Sequence, residues 1–444
     1  MKDLTQGRPG KVLLLYTLPL FGSIIFQQLY NIADSFVAGR YIGTDALAAV
    51  GNSYEVTLIC IALAFGCNVG TSVVTARLFG EKRMQDVRSC ITTALLFSGG
   101  LGVAVSLLGW LMAPALLKMM NTPPEVMADS VSYLNIYLLG YTFLILYQVC
   151  TGVFSALGDS QTPFWFLASS SLANIAVDVF FVRDLGMGVP GVAWATFLCQ
   201  SVSGIAAVLA VLRKLRKFGR EHAPLFSLPL LGKMLQIAAP SAIQQSFISV
   251  GNILIQIVIN GFGTACMAGY AAAVKLNNMC ITSVTALGNG MSNYTGQNVG
   301  AGKKERVLAG VKSGIIIGCC MALLFTGVFL GFGKQLVGAF ITDGNAEALD
   351  IGVRFLQTVS PFYAMIAVKL MVDGVLRGGA QMKPFMTSTM TDLILRVALA
   401  FVLAPFFGDQ GVWSAWPLGW AVGMGMSVCF TWKYLKRLGC FPQN

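Results

Sequence analysis

The chain has 444 residues, of which 56% are hydrophobic and only 11% are charged, and its formal net charge is +11. Together with a mean hydropathy of +0.72, this composition leaves too little polar surface to cover the core of a soluble protein of such length. It therefore excludes a soluble globular protein and predicts a membrane protein with several spans.

Apolar stretches long enough to cross roughly 30 Å of hydrocarbon recur along the whole chain. Because backbone polar groups cannot stay unpaired in lipid, and short segments of alternating polarity are lacking, we expect helices rather than barrel strands. The first six predicted spans are 13–39, 47–77, 88–115, 128–157, 162–182 and 190–212. The second six are 234–259, 268–298, 312–340, 347–377, 384–407 and 411–435. The sequence thus predicts an all-α polytopic membrane protein with twelve transmembrane helices.

Lysine and arginine residues set the predicted orientation of these spans. With the N-terminus in the cytoplasm, 22 of the 30 basic residues fall in cytoplasmic segments and 5 fall outside, as the positive-inside rule requires. An even number of spans then places the C-terminus in the cytoplasm as well. The net charge indicates this topology and an affinity for membrane lipid with anionic headgroups, and it does not suggest nucleic-acid binding.

Neither the cysteines nor the histidine predicts a metal or cofactor site. The 11 cysteines lie mostly within spans and form no C-x-x-C pair, so we expect them to act as small apolar residues. The single histidine, His222, lies in the basic loop "RKLRKFGREHAP", where it is expected to be solvated. The chain has no H-E-x-x-H or G-x-S-x-G motif, which argues against an integral membrane enzyme.

The two halves of the chain resemble each other at an offset of 220 to 222 residues. "GTDALAAV" (43–50) matches "GTACMAGY" (263–270), and "LFGEKRMQDV" (78–87) matches "NVGAGKKERV" (298–307). Two copies of six spans run in the same direction, so we predict two six-helix bundles related by a pseudo-two-fold axis along the membrane normal. The cleft between two such bundles favours a carrier over a channel. The predicted domains are an N-terminal lobe (1–212), a cytoplasmic basic linker (213–233) and a C-terminal lobe (234–444).

Five polar residues from three spans are predicted to share one depth in the outer half of the N-terminal lobe. They are Tyr30, Asp34, Asn174, Asp178 and Thr196. Two carboxylates in a poorly solvated bundle cannot both ionise cheaply, so the pair can take and release a proton, while the five side chains could instead hold Na⁺. The sequence does not choose between these ions. It also leaves open a purely structural polar cluster, and a pairing of Asp178 with Arg183.

The second repeat has no carboxylate at the position of Asp34, because Ile255 stands there. We therefore expect ion coupling in the N-terminal lobe. Pro19 lies fifteen residues before Asp34 and cannot complete the helical hydrogen-bond ladder, so it permits a hinge. Our hypothesis is that a change of charge at Asp34 bends this helix and displaces substrate, although a static kink remains the alternative.

Charged residues in other spans suggest a gate and a second polar group. Glu55 and Lys275 occupy equivalent repeat positions near the outer ends of their spans, where they could form an inter-lobe ion pair or be solvated separately. In the C-terminal lobe, Lys369 and Asp373, and likewise Asp392 and Arg396, have i,i+4 spacing. Local pairing explains these four residues, and a lining of the C-terminal cavity is the alternative. Candidate substrate-lining residues are Tyr30, Phe36, Met279, Met291 and Tyr294.

Several motifs of the sequence resemble those of the multidrug and toxic compound extrusion (MATE) family. They are the "P-x14-D" first span, the repeated "G-T-[DA]-x-[LM]-A", the "ALGD" turn and the basic "GEKR" and "GAGKKERV" loops. The five-residue polar layer resembles the prokaryotic branch typified by the DNA-damage-inducible protein F. This resemblance implies export of varied, mostly cationic organic compounds from the inner membrane of a prokaryote. It also implies proton or sodium coupling, alternating access and no cofactor, and we expect a monomer. A lipid-linked oligosaccharide flippase of the same superfamily is the alternative, and it would show more cationic residues in the central cleft.

Overall fold

The computed structural model describes residues 3–37, 44–120, 122–216, 223–341 and 345–441, except for the side chains of 28–52, 54 and 55. Regular structure in these residues is helical throughout, without a β-strand. The helices of the first repeat are α1 (Pro9–Val37), α2 (Thr44–Gly80), α3 (Met84–Met119), α4 (Pro124–Ala156), α5 (Gln161–Val179) and α6 (Gly188–Leu215). Those of the second are α7 (Leu228–Asn260), α8 (Thr264–Gly300), α9 (Lys304–Gly338), α10 (Ala346–Val359), α11 (Tyr363–Gly378), α12 (Met382–Phe407) and α13 (Asp409–Leu438).

The predicted all-α class is confirmed, and each predicted span corresponds to helical structure. The tenth span is interrupted where the sequence predicts one helix: α10 and α11 are joined by a short 3-10 turn at Ser360–Phe362. Pro361 within this turn has no backbone N–H to donate, so the α-helical ladder cannot continue through it. Ten helices in the described part of the chain are long and apolar enough to cross a membrane. The helices α8 and α13 are long enough but more polar.

The chain packs as two compact units. Unit 1 comprises Met1–Asp3 and Gly22–Ile243, and unit 2 comprises Leu4–Phe21 and Gln244–Asn444. The helix α1 therefore begins in unit 2 and continues in unit 1, whereas α7 begins in unit 1 and continues in unit 2. The lobe boundaries inferred from the repeat follow a different criterion and stay a prediction.

Close approach of helices inside unit 1 depends on small residues. A Cβ atom on Gly152 of α4 would lie 2.7 Å from the backbone oxygen of Asn68 of α2, so only glycine fits there. The hydroxyl of Tyr141 donates a hydrogen bond of 2.9 Å to the backbone oxygen of Cys60, which links the same two helices. Such small contact residues are typical of helix pairs in membranes, where van der Waals packing drives association.

The polar end of α8 is buried in unit 2 against the segment that precedes α1. The backbone N–H of Leu4 donates to Oε1 of Gln297 at 3.0 Å, and Nδ2 of Asn298 donates to the backbone oxygen of Leu4 at 3.3 Å. The guanidinium of Arg306, in the predicted basic motif, donates to the backbone oxygens of Gly7 and Gln6 at 2.6 and 3.2 Å. Two of the polar residues that make α8 a weak membrane span, Gln297 and Asn298, are thus hydrogen-bonded inside the protein.

Candidate functional site

The connection between α5 and α6 positions the candidate site of unit 1. A π-helical turn at Phe180–Asp184 extends α5, and the backbone N–H of Leu185 donates to the backbone oxygen of Phe180 at 3.0 Å. Gly186 and Gly188 follow with φ values of +64° and +62°, a left-handed conformation that glycine adopts without strain. This tight turn brings the last part of α5 alongside the first part of α6.

Three of the predicted layer residues meet at this hairpin and are nearly inaccessible to solvent. Asn174, Asp178 and Thr196 expose 3%, 1% and 5% of their surface. With the amide of Asn174 oriented to satisfy its neighbours, its nitrogen donates to Oδ2 of Asp178 at 2.9 Å. Its oxygen accepts from the backbone N–H of Thr196 at 3.3 Å. The structure brings these three residues together, and the described contact of Thr196 is made by its backbone N–H rather than by the predicted side-chain oxygen.

Arg183 does not pair with Asp178, although the sequence left that pairing open. Its Nε lies 4.0 Å from the carboxylate of Asp184, and both of these side chains are largely exposed. The π-helical turn at Phe180–Asp184 separates Arg183 from the α-helical face that carries Asp178. The described contact of the Asp178 carboxylate is instead with the neutral amide of Asn174.

An apolar cluster lies next to the polar site, toward the connection between α5 and α6. Val182 lies one turn beyond Asp178, and Val192 lies one turn before Thr196. The buried members of this cluster are Tyr133, Ile136, Val182, Val189, Val192 and Ala193. These side chains exclude water from one side of the polar site, which strengthens electrostatic interactions within it.

The side chains of Tyr30, Asp34, Phe36 and Glu55 lie outside the described residues. Of their proposed partners, Lys275 is exposed and its Nζ lies 5.4 Å from the ring centroid of Phe340, within unit 2. The proposed pair of Glu55 and Lys275, and the place of Asp34 and Tyr30 in the polar layer, stay predictions.

Two of the predicted substrate-lining residues are enclosed in the packing of unit 2. Met291 and Tyr294 are completely buried, and the hydroxyl of Tyr294 donates to the backbone oxygen of Arg306 at 3.0 Å. Their prediction as lining residues does not hold for this structure, because the end of α8 is covered on these faces by its neighbours. Met279 is half-buried and its lining role stays a prediction.

A second buried polar group lies between α11, α12 and α13 of unit 2. Nζ of Lys369 lies 2.9 Å from Oδ2 of Asp373, as the i,i+4 spacing predicts, and 3.6 Å from Oδ2 of Asp392. The hydroxyl of Ser427 donates to Oδ1 of Asp373 at 2.6 Å. One ammonium group therefore contacts carboxylates from two neighbouring helices.

The predicted pair of Asp392 and Arg396 is wrong for this structure. Asp392 turns toward Lys369, and the Arg396 guanidinium lies over the ring of Trp416, 4.4 Å from its centroid. A further arginine, Arg377, was missed because it ends the predicted tenth span. It is also buried, and its i,i+4 spacing from Asp373 was the signal that could have revealed it. The sequence could not show that Lys369 reaches across to the next helix.

Comparison with known proteins agrees with this architecture. A family model described as MatE matches residues 19–180 and 240–402, one stretch in each repeat. "Probable multidrug resistance protein YpnP" of Bacillus subtilis (strain 168) is 27% identical over 431 residues, which cover 97% of this chain and 94% of that protein. "Probable multidrug resistance protein NorM" of Thermotoga maritima is 23% identical over 428 residues, covering 95% and 90%.

A solved structure shares the fold over nearly all of the chain. It is described as "Outward-facing conformation of a multidrug resistance MATE family transporter of the MOP superfamily", and it matches with a TM-score of 0.93 at 23% identity over 99% of both chains. The apolar helices enclose buried polar groups, and the relatives are transporters rather than enzymes. The chain is therefore a multi-pass membrane transporter. The chain belongs to the MatE family.

Proposed function

We propose that this transporter is a cation-coupled antiporter that exports organic, mainly cationic, drugs or toxic compounds in exchange for H⁺ or Na⁺. The observation that carries the proposal is the buried carboxylate of Asp178, which Asn174 contacts at 2.9 Å. An ionisable group inside a membrane helix is expensive to place there and marks an ion or substrate pathway by default. The names of the multidrug resistance relatives support drug-like organic substrates.

Asp34 and Tyr30 belong to the coupling site in this proposal, beside Asn174, Asp178 and Thr196. Two carboxylates close together favour one shared proton, since both cannot ionise cheaply in a poorly solvated bundle. The same oxygens suit Na⁺, because hard cations bind several oxygen ligands. Neither ion requires a resident cofactor.

In this proposal, the conformational change that accompanies ion binding is a bending of α1. Pro19 lies two residues before Phe21, where α1 leaves unit 2, and Asp34 lies farther along the same helix. Loss or gain of a cation at Asp34 changes the partners of one end of α1, while Pro19 supplies a point at which the helix bends. The pair of Glu55 and Lys275 would close the outer side of the pathway.

The chain is placed in a prokaryotic inner membrane with both termini in the cytoplasm, and it acts as a monomer. This orientation is supported by the excess of basic residues in the segments assigned to the cytoplasm. It places the α5–α6 connection outside, so the coupling site lies in the outer half of the membrane.

The test measures ethidium uptake into everted vesicles under an imposed pH or sodium gradient. Asp178→Asn removes the ionisable group and keeps a hydrogen-bonding side chain of nearly the same size, so gradient-driven uptake is expected to be lost. Asp184→Asn is the matched control, since it makes the same chemical change six residues away at an exposed position. That control is expected to transport like the wild type.

The two gradients also identify the ion, because only the coupling ion drives uptake in the wild type. Asp34→Asn tests the second carboxylate of the proposed coupling site in the same assay. If Asp178→Asn and Asp34→Asn both retain full gradient-driven uptake, the coupling proposal is wrong.

A further inference from the structure

Five charged side chains are buried together in unit 2, and their charges do not balance. Each exposes at most 7% of its surface, and the group consists of Lys369, Asp373, Arg377, Asp392 and Arg396. Three cations thus face two carboxylates. The group therefore carries a net charge of +1, and neither arginine has a carboxylate oxygen within 4.0 Å among the described residues, whereas Lys369 contacts both carboxylates.

Arg396 presents an unused hydrogen-bonding edge. One face of its guanidinium lies over Trp416, and neither Nε nor Nη2 has a hydrogen-bond partner among the described residues. These two N–H groups lie on the same edge of the guanidinium plane, which is the edge that binds the two oxygens of a carboxylate or phosphate side by side. The indole Nε1 of Trp416, whose ring lies against the guanidinium, also lacks a hydrogen-bond partner among the described residues.

Asp392 does not fill this edge, although it lies one turn away on α12. Its free Oδ1 faces α13, where a Cβ atom on Gly419 would lie 2.9 Å from that oxygen. Nη2 of Arg396 faces α7 instead, where a Cβ atom on Gly251 would lie 4.0 Å from the nitrogen. The glycine at 251 therefore places no side chain against Nη2, which any larger residue would contact.

Arginine cannot remove this excess positive charge by losing a proton, because its guanidinium stays charged at any ordinary pH. A buried excess of positive charge is strongly unfavourable, and so are buried donors without acceptors. A bound oxyanion removes both deficits at once, whereas a bound cation would aggravate them.

We propose that Arg396 and Trp416, beside Gly251, form a binding site for an oxyanion, namely the carboxylate or phosphate group of a small organic molecule or of a lipid headgroup. Both sources present the same pair of oxygens to the arginine edge. The site lies in unit 2 and does not depend on ion coupling in unit 1, so it goes beyond the function proposed above.

The experiment uses the purified full-length protein in a neutral detergent. Tryptophan fluorescence and Tm are followed during titration with sodium benzoate, phenyl phosphate or dioctanoyl phosphatidic acid, with sodium chloride at matched ionic strength as the reference. A saturable response to benzoate or phenyl phosphate identifies a soluble organic anion, and a response to phosphatidic acid alone identifies a lipid headgroup. Either response supports the site, provided that it depends on Arg396.

Three variants test that dependence. Arg396→Lys keeps the charge but loses the two-pronged edge, so binding should weaken by roughly tenfold or more. Gly251→Ala should weaken binding while the protein stays folded, because the added Cβ meets only ordinary contacts of 3.6 and 4.0 Å. Arg377→Lys, the same change at the other buried arginine, should leave binding unchanged. The proposal is overturned if the oxyanions act no differently from chloride, or if Arg396→Lys and Gly251→Ala both bind like the wild type.

Discussion

Asp159, in the loop between α4 and α5, is held by contacts that favour its charged form. Lys214 of α6 pairs with its carboxylate, and the backbone N–H and hydroxyl of Thr162 donate to it at 3.1 and 2.9 Å. Burial acts to raise the pKa of the Asp159 carboxyl, but the contacts with Lys214 and Thr162 outweigh burial and lower the pKa from its ordinary value of 3.8. The "ALGD" turn of the sequence thus ties the start of α5 to the end of α6.

Stability should depend on pH through this group. Because its pKa in the folded state is lower than in the unfolded state, its contribution is present above the ordinary pKa and is lost as the pH falls through the folded-state value. Asp159→Asn should therefore lower the Tm at neutral pH, and the difference from the wild type should shrink below about pH 4. Asp350→Asn, which alters an exposed ion pair with Arg354, is the control. A Tm difference that stays constant down to pH 3 would contradict this assignment.

Local spacing predicted two contacts within single helices, failed for Asp392 and Arg396 on α12, and revealed no contact between α11 and α12. The pair of Lys369 and Asp373 and the pair of Asn174 and Asp178 follow from i,i+4 spacing, because such residues share a helix face. The contact of Lys369 with Asp392 joins two helices, so it depends on their packing and could not be predicted from spacing.

At the scale of helices, the approach of α4 to α2 depends on Gly152. Gly152→Ala would place a methyl group 2.7 Å from the backbone oxygen of Asn68, so the two helices must separate. We expect a loss of about 1–3 kcal/mol in the free energy of unfolding, measured by denaturant unfolding in mixed micelles. Gly425→Ala in α13 is the matched control, because a Cβ there meets no atom within 4 Å. Equal stability of the two variants would show that this close contact does not limit packing.

The basic motif of the second repeat holds the segment before α1 through hydrogen bonds to its backbone. Arg306 donates to backbone oxygens of Leu4, Gln6 and Gly7, so Arg306→Gln should release that segment. Hydrogen–deuterium exchange of residues 4–8 should then become faster. Lys304→Gln removes the same charge two residues earlier, where the described contacts do not involve the segment, and should leave exchange unchanged. Unchanged exchange in Arg306→Gln would mean that α8 and Lys303, whose Nζ donates to the backbone oxygen of Thr5 at 2.8 Å, hold the segment without Arg306.

The apolar stretches predicted the helices, but they did not predict to which of the two units each helix belongs. The interruption at Pro361 is a local property of proline, although the sequence analysis assigned that span as one helix. The passage of α1 from unit 2 to unit 1 depends on contacts of residues 4–21 with α8 and α9, which no periodicity in α1 reveals. The basic "GAGKKERV" loop was visible as a motif, while its role as a cap on distant backbone oxygens was not.

At the scale of the whole molecule, the two repeats share a helix pattern and differ in the charges they bury. The described site of unit 1 combines a carboxylate with an amide, whereas the buried group of unit 2 carries an excess of positive charge. Ile255, which occupies the position equivalent to Asp34, is fully buried in unit 2. This difference agrees with the proposed location of cation coupling in unit 1.

This asymmetry predicts different effects for two equivalent prolines. Pro19 in α1 and Pro240 in α7 each lie within three residues of the point where the helix changes unit. Each lacks the N–H that would complete the helical ladder, so each permits bending there. Only α1 continues to a carboxylate, so only bending of α1 should respond to the coupling ion.

Pro19→Ala should therefore abolish gradient-driven ethidium uptake in everted vesicles, while ethidium binding to the purified protein persists. Pro240→Ala should retain most of the uptake. Equal loss in both variants would mean that the two helices bend together and that the hinge is not specific to the coupling lobe.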